Sequence, residues 1–171
     1  MSLRKILAGF ALVAVAAGAT SPAPLAQAVL VRPDGSTAGT VRIREHSDGT
    51  IVELKVTGVA PGEHGLHLHT TGTCSGPDFA SAGGHLDPAG HKHGARNAAG
   101  PHLGDLPNVT ADASGGIRTE LRVPTAASDL AANLFDADGS AIVLHAAADD
   151  YLTDPTGNSG ARIACGVLTR P

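Results

Sequence analysis

Seven of the nine histidines, His64, His67, His69, His85, His91, His93 and His102, fall between positions 64 and 102; His46 and His145 lie outside that stretch. Imidazole is the commonest protein ligand for metals, so a cluster this dense points to metal chemistry. His67 and His69 form an H-x-H pair in residues 65–70, a run that reads as a strand. Side chains at i and i+2 of a strand share a face, so both rings can converge on one ion. His64 falls on the opposite parity and reads as structural or as support for the ligands. An isolated H-x-H pair is also what two surface histidines look like, so the pair alone does not decide. His46 lies in an expected turn and reads as solvated surface.

Short strands have to position these residues. Alternation is clearest in 50–56, where Val52, Leu54 and Val56 face one way and Glu53 and Lys55 the other. Val41 and Ile43 alternate with Arg42 and Arg44 in the same way, and Ile117, Thr119, Leu121 and Val123 alternate with Arg118, Glu120 and Arg122. Runs at 28–31, 65–70, 141–147 and 162–169 bring the expected count to about seven or eight strands. Between them lie the turn sequences Pro33-Asp34-Gly35, Asp48-Gly49, Pro61-Gly62 and Gly115-Gly116. This rhythm predicts an all-β sandwich or barrel, with helix only as a short turn near 126–132. Residues 71–108 and 148–161 are rich in Gly, Pro and Asp and lack periodicity. They are expected to be long loops of the functional kind.

Arg4 and Lys5 precede an apolar run at 6–17, and the small-residue triplet Ala26-Gln27-Ala28 follows. This is the pattern of an export signal over residues 1–28, cut after Ala28, with a cut near Ala19 as the alternative. Roughly twelve apolar residues fall short of the ~20 that span a bilayer, so no membrane span is expected. Residues 29–171 then form one domain, exported to the periplasm, the cell envelope or the medium. Two of the 12 Lys+Arg lie in the signal, leaving ten against 16 Asp+Glu, a formal charge of −6. That balance argues against nucleic acid as a partner. With three Phe, one Tyr and no Trp, the core must be built from small aliphatic side chains. Cys74 and Cys165 are expected to pair in an oxidising compartment; free thiols or a metal-binding pair are the alternatives.

Several spaced motifs occur in order. Gly62-Glu63-His64-Gly65-Leu66-His67-Leu68-His69 is followed by Gly83-Gly84-His85-Leu86-Asp87-Pro88, by His93-Gly94, and by His102-Leu103-Gly104-Asp105-Leu106-Pro107-Asn108-Val109-Thr110. Val143-Leu144-His145 and Gly157-Asn158-Ser159-Gly160-Ala161-Arg162-Ile163-Ala164-Cys165-Gly166 complete the set. Together, over about residues 29–168, they resemble copper/zinc superoxide dismutase.

The resemblance implies a Greek-key β-barrel or sandwich of about eight antiparallel strands with two long functional loops. It implies copper at His67, His69, His85 and His145, and zinc at His85, His93, His102 and Asp105, with His85 bridging the two. The family's spacing selects His93 over His91. Asp149 matches the carboxylate that links a copper histidine to a zinc histidine, here His67 and His93; Arg162 matches the arginine beside the copper; Cys74 and Cys165 match the intrachain disulfide. The implied reaction is dismutation of superoxide to dioxygen and hydrogen peroxide, with Arg162 and His85 in catalytic roles. A homodimer is left open.

Two departures stand out. Residues 146–161, which resemble the family's electrostatic loop, contain no Lys but hold Asp149, Asp150 and Asp154. The lysine that many bacterial members carry before the bridging histidine is also missing from Pro77-Asp78-Phe79-Ala80-Ser81, leaving Lys92 and Arg96 as the nearby cations. The competing class is an exported metallochaperone or metal-buffering protein on the same fold. Such relatives commonly lose copper ligands or the arginine, and this chain keeps them all. A copper-only dismutase would lack His93, His102 and Asp105.

Overall fold

The structure, a computed structural model, describes residues 23–171; the expected signal, apart from its last six residues, lies outside them. Among the described residues there are nine strands: β1 (Ala26–Val31), β2 (Thr37–His46), β3 (Gly49–Val56), β4 (Gly62–His64), β5 (Leu66–His69), β6 (Val109–Ala111), β7 (Ile117–Val123), β8 (Ala141–His145) and β9 (Arg162–Val167). One helix, α1 (Ala127–Leu134), lies between β7 and β8. Seven strands form an antiparallel sheet in the order β5-β8-β9-β1-β2-β3-β7, curled into a half-barrel, and β4 pairs with β6 beside it. No described helix is long and apolar enough to cross a membrane.

Burial follows the alternation of residue types. Val52, Leu54 and Val56 of β3 are buried while Glu53 and Lys55 are not, and in register they face Val41 and Ile43 of β2 and Ile117 and Leu121 of β7. Leu30, Ile43, Leu54, Leu66, Ile142 and Leu144 meet inside the barrel, and α1 closes it with Leu130 and Leu134, four residues apart on one helix face.

Strand β8 breaks the alternation because all five of its residues are buried. Ile142 and Leu144 join the barrel core, whereas Ala141 and Val143 pack with Phe79, Ala82 and Cys165 in a second cluster. That cluster lies beneath the loop between β5 and β6, and the Cys74–Cys165 disulfide stitches the loop to β9. A strand covered on both faces is what places His145, at its end, in a dry environment.

Three details depart from the expectations. Strands β4 and β6 were not foreseen; each is three residues long, too short to display a period. Strand β2 continues to His46, which pairs with Gly49 across a two-residue turn, so His46 is on a strand. Strand β1 begins at Ala26, inside the expected signal: Leu25 N–H donates to Ile43 O at 2.7 Å, and Ala26 and Ala28 are buried.

Candidate metal centre

The centre is assembled on β5, the terminal strand of the sheet. On one side β5 pairs with β8, which brings Leu66 opposite Leu144 and His67 opposite Val143. Its other edge is occupied by the long loop. Leu68 N–H donates to Gly104 O at 2.9 Å, Leu86 N–H donates to Leu68 O at 2.8 Å, and Thr70 N–H donates to Gly84 O at 3.0 Å. This pairing sets His85 opposite His69 and Asp105 opposite His67. Gly104 is required by the approach, because a Cβ there would run into the Leu68 carbonyl and the Leu86 amide. From the far side, β8 and β9 pair His145 with Arg162.

Two adjoining clusters result, each with ligand atoms within 4.8 Å of one another: His67, His69, His85 and His145; and His85, His93, His102 and Asp105. His85 belongs to both. In the first cluster, His67 Nδ1, His69 Nε2, His85 Nε2 and His145 Nε2 are buried with no hydrogen-bond partner. Their opposite ring nitrogens are all engaged: His67 Nε2 with Asp149 Oδ2 at 2.7 Å, His69 Nδ1 with Gly83 O at 3.0 Å, His85 Nδ1 with Asp105 Oδ1 at 2.9 Å, and His145 Nδ1 with Gly160 O at 3.2 Å. Four orphaned nitrogens converging in one dry space are costly unless a cation receives their lone pairs. Burial lowers the pKa of His69 to about 2, of His85 to about 4 and of His145 to about 3, so these rings are neutral donors at physiological pH. An all-imidazole set of this kind suits copper.

The second cluster carries a different signature. The Nδ1 atoms of His85, His93 and His102 all face Asp105 Oδ1, at 2.9, 3.0 and 3.2 Å. His93 also faces Asp149 Oδ1 through Nε2 at 2.9 Å. A neutral ring has one N–H for these two carboxylates, and a divalent cation on the Nδ1 side would leave that proton for Asp149. Asp105 Oδ2 accepts from Gly94 N–H at 2.8 Å and His102 N–H at 3.0 Å. Burial pushes the Asp105 carboxyl up, but the hydrogen bonds from His85 and Gly94 and the nearby His93 outweigh it and hold the group well below the usual carboxylate range. Three imidazoles and one carboxylate form a set that suits zinc.

Asp149 lies between the clusters, its side chain fully buried and its carboxylate shared by His67 and His93. Burial opposes its ionisation, yet the His67 and His93 hydrogen bonds keep its pKa below the ordinary value. Gly157 packs against this carboxylate at φ 62, and a Cβ there would collide with Asp149 Oδ1 and His93 Nε2. Arg162 donates from Nη1 to Phe79 O and from Nη2 to Gly83 O, both at 2.7 Å. Gly83 O is also the partner of His69, so guanidinium and ligand share one anchor.

The remaining candidates fall outside both clusters. His64 is buried and spans two carbonyls, His145 O at 2.7 Å and Ala60 O at 2.8 Å, so it braces the backbone of a cluster residue without entering the site. His91 is exposed and faces Pro101 O. His46 is half-buried beside Arg122. Lys92 pairs with Asp154 at 3.0 Å, and Arg96 stacks on Tyr151 at 5.5 Å from the ring centroid. Sequence reasoning missed Asn108, which holds the backbone of Asp149, and Tyr151, whose N–H donates to the Asp149 carboxylate. The only available signal was the presence of Asn108 within the Asp105-to-Thr110 motif.

Fold and site together define a β-barrel metalloprotein with two adjoining histidine clusters that have one histidine in common. The family model described as copper/zinc superoxide dismutase (SODC) matches residues 37–168. The chain belongs to that family. "Superoxide dismutase [Cu-Zn]" of Caulobacter vibrioides is 43% identical over 147 residues, 84% of this chain and 84% of that protein. "Superoxide dismutase [Cu-Zn] 2" of Aquifex aeolicus is 40% identical over 146 residues, 84% of this chain and 85% of that one. Among solved structures, a SOD-like protein from Bacillus subtilis superposes with TM-score 0.78 at 39% identity, covering 84% of this chain and 97% of that chain.

Proposed function

We propose that the chain is an exported superoxide dismutase, with copper held by His67, His69, His85 and His145, zinc held by His85, His93, His102 and Asp105, and His85 bridging them. The observation that carries this reading is the convergence of four unpartnered imidazole nitrogens beside a cluster of three imidazoles and a carboxylate. Copper in the first cluster supplies the one-electron redox cycling that turns two superoxide ions and two protons into dioxygen and hydrogen peroxide. Arg162 uses two of its five N–H groups to fix itself on the loop, leaving three to hold an anion by charge-assisted hydrogen bonds. His85 faces the copper cluster with Nε2 and the zinc cluster with Nδ1, so Nε2 is the atom positioned to take up and deliver a proton. Asp149 fixes the tautomers of His67 and His93 and leaves their Nδ1 atoms free to ligate.

A metal-transfer role is the runner-up, and similarity extends to the copper chaperone for superoxide dismutase of Rattus norvegicus, 35% identical over 152 residues, 85% of this chain and 53% of that protein. The presence of all seven ligand positions together with Arg162 favours the enzyme. The direct test is loss of superoxide on adding the purified, copper- and zinc-loaded protein; a loaded protein without activity would move the reading to metal transfer. The division of metals is tested by Asp105→Ala, which is expected to lower zinc content far more than copper. Elemental analysis finding selective loss of copper would reverse the assignment.

The buried start of β1 favours the alternative export cut near Ala19 over one after Ala28. Cutting after Ala28 would remove half of β1, including buried Ala26 and the paired Gln27–Thr169 backbone hydrogen bonds of 2.9 Å in each direction. The triplet Ala17-Gly18-Ala19 offers a cleavage site that leaves β1 whole. Mass spectrometry of the exported protein is expected to find an N-terminus before Leu25; one at Val29 would contradict this.

A further inference from the structure

Asp149 is gripped by residues that belong to neither metal cluster. Asn108 Nδ2 donates to Asp149 O at 2.9 Å, and Asn108 Oδ1 accepts from Asp149 N–H at 2.9 Å, so one amide holds the main chain on both sides of the residue. The Asn108 main-chain N–H donates to the Tyr151 hydroxyl at 2.7 Å, and Tyr151 N–H donates to Asp149 Oδ1 at 2.6 Å. These links close a ring through Asp149, Asn108 and Tyr151, joining the end of the first long loop to the start of the second.

Tyr151 occupies this place at a cost. Its φ of 62 lies in the left-handed region that bulky residues avoid. Arg96 holds it there, with its N–H donating to Tyr151 O at 2.9 Å and its guanidinium over the ring. Backbone strain at a residue whose hydroxyl and amide both serve the Asp149 unit marks a position selected for what it holds.

We propose that Asn108 and Tyr151 are positioning residues that lock Asp149 in the orientation shared by His67 and His93, and thereby slow the release of zinc. The inference rests on zinc occupying the cluster of His85, His93, His102 and Asp105. A carboxylate free to turn lets go of His93 Nε2, and a zinc-bound imidazole whose other nitrogen is unheld is a less basic and less oriented ligand. Loss of such outer contacts commonly changes metal affinity by about 10- to 100-fold. Asn108 exerts the larger control because it holds two atoms of Asp149 directly, whereas the Tyr151 hydroxyl acts through Asn108.

The test uses the full exported protein, disulfide intact and loaded with copper and zinc, and follows zinc transfer to a chromogenic chelator. Tyr151→Phe keeps the ring over Arg96 and removes one oxygen; it is expected to speed zinc release about tenfold, and Asn108→Ala by more, toward 100-fold. Copper release changes less in both. Cobalt placed in the zinc cluster reports ligand geometry through its visible bands, which are expected to shift in both variants; a general loss of stability would leave them in place. Asp149→Asn serves as the reference that removes the held group itself. If it speeds zinc release while the two latch variants stay within about twofold of the parent, the latch is wrong and the zinc assignment stands. Should Asn108→Ala fail to fold, Tyr151→Phe decides alone. A parent protein that takes up no zinc would overturn the assignment and the latch together.

Discussion

Replacing Arg162 with Ile is expected to slow superoxide removal at least tenfold while both metals stay bound, and to flatten or reverse the fall of rate with added salt. Residues 29–171 carry a formal charge of −6, so superoxide is repelled over most of the surface. The cations that could offset this near the site are already committed: Lys92 is paired with Asp154, and Arg96 lies on Tyr151. Arg162 is different, since it bonds only to neutral carbonyls and stands directly across the strand pair from His145. Focused fields of this kind raise association rates by roughly 10- to 10³-fold and weaken with ionic strength. Arg162→Lys keeps the charge but loses the two-pronged anchor, and falls between parent and Ile. Lys92→Gln changes the rate much less. Stopped-flow rates across a salt series decide the matter; a near-normal rate and salt dependence in the Ile variant would place the attraction elsewhere.

The second large effect belongs to Cys74→Ser. The disulfide closes a separation of 91 residues, for which the chain-entropy account assigns about 4–5 kcal/mol. For a domain of this size that corresponds to a melting temperature lower by about 15 °C. Activity is expected to fall as well. The disulfide borders the cluster of Phe79, Ala82, Ala141 and Val143, and Phe79 O and Gly83 O are the seat of Arg162. Thermal unfolding and activity of the metal-loaded variant check both parts. A variant that melts within a degree or two of the parent would mean that packing at Phe79, rather than the bond, holds the loop.

What is legible in the sequence divides along physical lines. Strands with one face in the core announce themselves, since Val52, Leu54 and Val56 must alternate with Glu53 and Lys55. The parity that separates His64 from His67 and His69 is legible for the same reason. Strands β4 and β6 are not, because three residues show no period and their pairing joins His64 to Val109 across the whole first loop. The start of β1 is ambiguous because Ala26 and Ala28 are small: a signal cleavage site and a tight barrel interior accept the same residues. The ligand set emerges only from ordered motifs, as the contact of His145 with His67 depends on β8 pairing with β5. The hold of Asn108 on Asp149 is invisible beforehand, since an Asn in an aperiodic loop gives no hint of which backbone it will meet 41 residues later.

The loop laid along β5 does more than deliver His85 and Asp105. A terminal strand with open N–H and C=O groups is a template for another chain, and β5 carries apolar Leu66 and Leu68 between its histidines. In the folded protein, Gly84, Leu86 and Gly104 fill those positions. The loop itself is tied by the disulfide at one end and carries the candidate metal-binding residues His93, His102 and Asp105 at the other. A chain that lacks copper and zinc, or whose disulfide is reduced, is therefore expected to self-associate along this edge as well as to lose activity. Its supply of metal governs how long it stays soluble as much as how fast it works.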